Sequence, residues 1–177
     1  MSASLPERVD AERMVASRRS FEGVLPVAAL PRLAGALADD RGEVAYRLDF
    51  GTGELGTPQL LVRLSARLTL ECQRTLQPFE WPAEIESLLG LITDEREEAG
   101  LPPDCEPLLL EGGMVFPRAV IEDELLLALP LVPVKPGSEM SQGGWQAASD
   151  DAAAQAEQGS HPFAGLRALR EAQEKNR

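Results

Sequence analysis

The stretch Val62-Arg63-Leu64-Ser65-Ala66-Arg67-Leu68-Thr69-Leu70-Glu71-Cys72-Gln73 changes character at every residue. Val62, Leu64, Ala66, Leu68, Leu70 and Cys72 fall on one side; Arg63, Ser65, Arg67, Thr69, Glu71 and Gln73 fall on the other. Successive side chains of a strand point to opposite faces, so this alternation predicts a β-strand with one covered and one wet face. The same period runs through Val44, Tyr46, Leu48 and Phe50, and is broken by Gly51-Thr52-Gly53 and Gly56-Thr57-Pro58 on either side of Leu55. A further strand is predicted from Phe79 to Ile92, with Pro82 at an edge or bulge because proline has no N–H to give a ladder. Strands at this spacing, joined by tight turns, predict an antiparallel sheet.

Helical signals flank this sheet. Asp10 is a good N-cap for a helix running to about Arg18 or Arg19, because its carboxylate accepts an orphan backbone N–H. Phe21 to Pro26 predicts a short strand, and Val27 to Leu37 a second helix, which tolerates Pro31 only in its first turn. Asp94 to Cys105 is an acidic loop with Pro102-Pro103, and Leu108 to Leu110 a short strand. Pro117 opens a third helix. Glu122, Asp123 and Glu124 are read as a solvated early turn near its positive end, and Leu125 to Leu129 as a buried second half ended by Pro130 and Pro133. Residues 136–160, rich in Gly, Ser, Ala, Gln and Asp, predict a disordered linker. Phe163, Leu166 and Leu169 give residues 161–177 a short amphipathic helix. The predicted fold is α+β over residues 1–135: an antiparallel β-sheet with packed helices, followed by the linker and the C-terminal helix.

The 177 residues carry 17 basic and 29 acidic side chains, a net charge of −12. That argues against general coating of nucleic acid, which needs many uncompensated cations. Aromatic residues are only 5%, too few for an extended base-stacking platform. The acidity is concentrated: residues 81–130 hold two basic and twelve acidic residues, whereas residues 1–80 are close to neutral. No apolar run approaches a membrane span, and charges run through the first twenty residues where a signal peptide would be apolar. The expected location is cytoplasmic, with no membrane partner.

Chemistry-bearing residues are sparse. His161, the sole histidine, has no nearby acid or nucleophile, so a triad has nothing to build on. One histidine and two cysteines exclude an all-protein Cys/His zinc site within one chain. Cys72 closes an apolar strand face and reads as a buried structural thiol. Cys105 lies between acids that raise its pKa. Glu122-Asp123-Glu124 cannot converge on one ligand, because adjacent helical positions point about 100° apart. Gly51-Thr52-Gly53 lacks the lysine and following helix of a phosphate loop. The expectation is no catalytic residue, no metal, no cofactor and no small-molecule substrate. The basic candidates are Arg13, Arg18 and Arg19 on the first helix, and Arg63 and Arg67 on the wet strand face. The last two lie about 13 Å apart along the strand, which suits two phosphates or two acidic side chains.

Three stretches together resemble the YceD family, the bacterial large ribosomal RNA subunit accumulation proteins. The first is Leu68-Thr69-Leu70-Glu71-Cys72-Gln73-Arg74, followed by Pro78-Phe79. The second is Val120-Ile121-Glu122-Asp123-Glu124-Leu125-Leu126-Leu127-Ala128-Leu129-Pro130, followed by Val132-Pro133. The third is His161-Pro162-Phe163-Ala164-Gly165-Leu166, similar to the family's terminal Asn-Pro-Phe-Ala-x-Leu. Asp10, Arg13, Arg18, Phe21 and Gly23 also fall where the family places an Asp-x-x-Arg helix start and an aromatic-x-Gly. One departure is Thr75, which stands where many members carry the second cysteine of Cys-x-x-Cys; a metal or redox role for paired thiols does not carry over.

The resemblance implies a non-enzymatic factor in synthesis, processing or stability of 23S ribosomal RNA. Its partners would be 23S rRNA or its precursor, met directly or through ribosomal proteins. The residues expected on the RNA side are Arg13, Arg18, Arg63, Arg67 and Arg74, with the acidic block 81–130 turned to basic protein or solvent. Phe163, Leu166 and Leu169 are expected to dock a partner. Two other classes stand beside this one: a nuclease or RNA-modifying enzyme, which needs clustered catalytic groups, and a protein–protein adaptor working through its C-terminal helix.

Overall fold

The period-two stretches form a five-stranded sheet at the centre of the chain's first unit, Met1–Ser138. The computed structural model describes residues 5–53 and 56–138. Most of the expected linker, and the C-terminal segment with Phe163, Leu166 and Leu169, lie outside the described residues. In chain order the elements are β1 (Val9–Asp10), α1 (Ala11–Ala16), β2 (Ser20–Pro26), α2 (Pro31–Ala36), β3 (Glu43–Thr52), β4 (Pro58–Glu71), β5 (Pro78–Ile92), β6 (Glu106–Leu109), β7 (Met114–Val115) and α3 (Pro117–Ala128). Short 3-10 turns occupy Val27–Ala29 and Glu95–Gly100.

The sheet order is β2-β3-β4-β5-β6, and β1 pairs separately with β7. The expected antiparallel arrangement holds from β2 to β5. β6 differs: it runs parallel to β5, with Leu91 opposite Leu108. A parallel pair needs a crossover in place of a hairpin, and residues 93–105 supply it. That crossover passes over one end of the sheet at Gly90, where a Cβ would lie 2.5 Å from Leu101 Cδ2 and 3.1 Å from Cys105 Sγ. Pro82 stands in the half of β5 that has no β6 neighbour, so its missing N–H leaves no ladder bond unmade.

The register sorts the two faces. Leu48 lies opposite Val62 and Tyr46 opposite Leu64, all buried with Leu60, Leu68 and Leu70. This inner face meets Val27, Leu30 and Leu33 around α2, and Val120, Ile121 and Leu125 of α3, in one core. Met14 and Val15 of α1 pack on the same core. All three helices therefore cover one face. The other face presents Arg63, Ser65 and Arg67 to solvent, as the alternation predicts. Among the described residues no helix is long and apolar enough to cross a membrane.

The helix expectations need local correction. Arg13 N–H donates to Asp10 Oδ1 at 2.8 Å, so Asp10 does cap α1. The helix stops at Ala16, short of Arg18, which adopts φ 46° and cannot continue it. The segment Val27–Leu37 is not one helix. Leu30, at φ −116° and ψ 80°, separates the 3-10 turn from α2, because a residue before proline is driven out of the helical region. Pro31 then occupies the first position of α2. In α3 the expected buried second half is only partly so: Leu125 is buried, while Leu127 is 76% exposed. One helical face, not the whole circumference, meets the core.

Candidate interaction site: an acidic helix clamp and an open sheet face

Glu122, Asp123 and Glu124 do not form a solvated early turn. They lie midway along α3, where Glu122 and Glu124 are buried and only Asp123 is exposed. Glu122 and Asp123 share Arg32, and Glu124 meets Ser87. Glu122 Oε1 accepts the N–H groups of Arg32 (2.6 Å) and Leu33 (3.1 Å), and Oε2 accepts Arg32 Nε–H at 2.9 Å. Asp123 Oδ1 takes Arg32 Nη1–H at 2.6 Å. Leu30 precedes α2 and has no side-chain oxygen to cap it, and Pro31 has no N–H, so the next two amides need an outside acceptor. Glu122 is that acceptor, a cap supplied from another helix. Burial pushes its pKa up, but the Leu33 and Arg32 donors together hold it below the ordinary carboxylate value. Glu124 is the reverse case. Burial raises its pKa, and the 2.5 Å bond from Ser87 Oγ only partly offsets that. The signal for Glu122 was in the sequence as an uncapped Leu-Pro helix start, but nothing local named its acceptor.

The open face of the sheet carries an ion-pair lattice. Arg47 contacts Glu22 (3.2 Å) and Asp49 (2.9 Å), while Arg63 contacts Asp49 (3.3 Å) and Glu86 (2.7 Å). Arg67 approaches Glu80 at 3.9 Å, and Ser65 Oγ–H donates to Glu84 at 2.7 Å. Strand register places seven carboxylates on this face, namely Glu22, Glu43, Asp49, Glu71, Glu80, Glu84 and Glu86, against the guanidinium groups of Arg47, Arg63 and Arg67. A shallow groove of about 410 Å³ lies across it, with Ala45 and Ser65 between Arg47 and Arg63 on one side and Glu84 on the other.

The five arginines expected on one RNA-facing surface are distributed over three places. Arg13 and Arg18 are exposed on and just after α1, in the helix layer. Arg63 and Arg67 are on the opposite, open face. Arg74 is in the β4–β5 turn, where its Nη1 donates to Ser138 O at 2.6 Å. No single flat partner touches all five.

The turn holding Arg74 also holds Cys72, which is fully buried. Its Sγ accepts the N–H of Lys135 at 3.4 Å and lies 3.8 Å from Ser138 Oγ, and the Thr75 hydroxyl and the amides of Thr75 and Arg74 are near enough to favour the thiolate. Led by the Lys135 amide, these donors push Cys72 from 9.0 down to about 6. Burial raises Cys105 instead, with Glu106 adding to it. A depressed folded pKa means the thiolate favours folding. That contribution is complete above the unfolded value near 9 and disappears as pH falls through about 6. The urea midpoint of the parent relative to Cys72→Ser should therefore rise between pH 6 and pH 9. Parallel curves across that window would contradict the assignment. Among the described residues no three His, Cys, Asp or Glu side chains converge as a metal site.

The sequence model for "Large ribosomal RNA subunit accumulation protein YceD" matches residues 60–170, which include most of β4 and all of β5 and α3. A protein of that name from Haemophilus influenzae is 30% identical over 135 residues, covering 73% of this chain and 75% of the relative. No solved structure matches the chain. The Cys72 turn and the Glu122–Glu124 clamp both fall within the matched region, and the chain belongs to the YceD family of large ribosomal RNA subunit accumulation proteins.

Proposed function

We propose that this protein promotes accumulation of large-subunit ribosomal RNA in the bacterial cytoplasm, acting in synthesis, processing or stability of 23S rRNA by binding and not by catalysis. The match over residues 60–170 carries the reading. The engagement of its polar residues in structure supports the non-catalytic part: Glu122 caps α2, Glu124 holds Ser87, and Cys72 is enclosed by amides. Direct RNA contact, where it occurs, falls to Arg13 and Arg18. They have no carboxylate within 4 Å among the described residues, unlike Arg63 and Arg67. Depletion of the protein in its native bacterium should lower 23S relative to 16S rRNA, and re-expression should restore the ratio. An unchanged ratio on depletion would refute the reading.

A further inference from the structure

We propose that the open face of the sheet docks a lysine- and arginine-rich polypeptide segment, seated in the groove over Ala45 and Ser65. The inference deepens the function proposed above, since a ribonucleoprotein particle joins a polyanion to the cationic proteins that neutralise it.

Three observations carry it. First, α1, α2 and α3 all pack on the inner face, and the crossover covers only the end of the outer face at Gly90. The rest of a five-stranded surface has no covering layer among the described residues: the side chains of Arg67, Glu80 and Glu22 are 82%, 75% and 73% exposed. Second, the charge balance favours one kind of occupant. Every arginine on the face already approaches a carboxylate, whereas Glu43 and Glu71 have no cation within 4 Å among the described residues and Glu84 holds only the Ser65 hydroxyl. An RNA phosphate would have to break the Arg47 and Arg63 pairs and would still meet surplus negative charge. A cationic side chain meets exposed carboxylates without displacing anything. Third, the floor is small. Ala45 and Ser65 stand opposite each other on β3 and β4, with Val24 opposite Ala45 on β2 and 54% exposed. That leaves a strip of short side chains, apolar at Val24 and Ala45, against which the methylene stem of Lys or Arg lies while its head reaches Glu84 or Glu43.

The test uses the purified full chain and a fluorescein-labelled synthetic peptide of alternating Lys, Arg and Ala, with a single-stranded RNA oligonucleotide as competitor. Glu43→Lys with Glu84→Lys should weaken peptide binding about tenfold. Glu95→Lys with Glu98→Lys changes net charge equally on the exposed crossover and should leave binding within about twofold. Glu43→Gln with Glu84→Gln, a milder change that preserves side-chain shape, should weaken binding about threefold without altering the melting curve. Equal weakening by both lysine pairs would reduce the effect to bulk charge and overturn the proposal. So would competition by the RNA that depends on Arg63 and Arg67. The titration reads the face alone and the 23S ratio reads the cellular role alone, so failure of one is distinguishable from failure of the other.

Discussion

Replacing Glu122 by glutamine should destabilise the domain by about 2–3 kcal/mol, read as a lowered urea midpoint with unchanged slope. The size follows from what one carboxylate does. It accepts two backbone amides that have no other acceptor, and it pairs with a guanidinium, all from a buried position. Hydrogen bonds to a charged group are each worth more than neutral ones, and a buried donor left without a partner costs its full desolvation. Glutamine keeps one oxygen but brings an NH₂ that repels the Arg32 side chain or the amides. Asp123→Asn is the control. Asp123 is half exposed and meets the same arginine at 2.6 Å, yet solvent competes for both ends of that pair, so its loss should stay below about 1 kcal/mol. Equal losses for the two substitutions would show that Glu122 is an ordinary surface acid and that α2 is capped some other way. The consequence reaches past stability. α2 supplies Leu33 to the core beneath the sheet, so the clamp fixes the surface that β3 and β4 present on their far side.

This clamp shows where local reading stops. The faces of β3 and β4 were legible because strand alternation is intrinsic to the chain: whatever covers Leu64, Arg63 must point away from it. The cap at Asp10 was legible for the same reason, since donor and acceptor are three residues apart. Glu122 and Arg32 are separated by 90 residues, and their pairing exists only after α2 and α3 meet. The parallel course of β6 was hidden similarly, because the strand pattern of Leu108 to Leu110 carries no direction; the crossover and the space over Gly90 decide it. Charge was misleading in a different way. Counting along the chain assigned Arg63 and Arg67 to a neutral region apart from the acidic block. The sheet brings Glu80, Glu84 and Glu86 of β5 beside them, so the arginines and the acids share one face. Partner type follows from that interleaving across strands, which no linear window measures.

Leu68→Ala should cost about 3 kcal/mol, while Arg67→Ala, its immediate neighbour, should cost less than about 0.5 kcal/mol. Leu68 is fully buried on the inner face opposite Trp81; truncating it removes apolar contact and leaves a cavity that helix and strand neighbours only partly close. Arg67 is 82% exposed and its approach to Glu80 is 3.9 Å, too long and too wet to hold much energy. Denaturant midpoints of the two variants therefore test the period of two at a single step along β4. Comparable losses would mean that the face carrying Arg67 is covered in the native protein, and the docking surface argued from its exposure would lose its ground. A large loss confined to Leu68 leaves Arg67 and its contact with Glu80 with little duty in folding. The surplus of carboxylates on that face then stands open to the cationic partner proposed above.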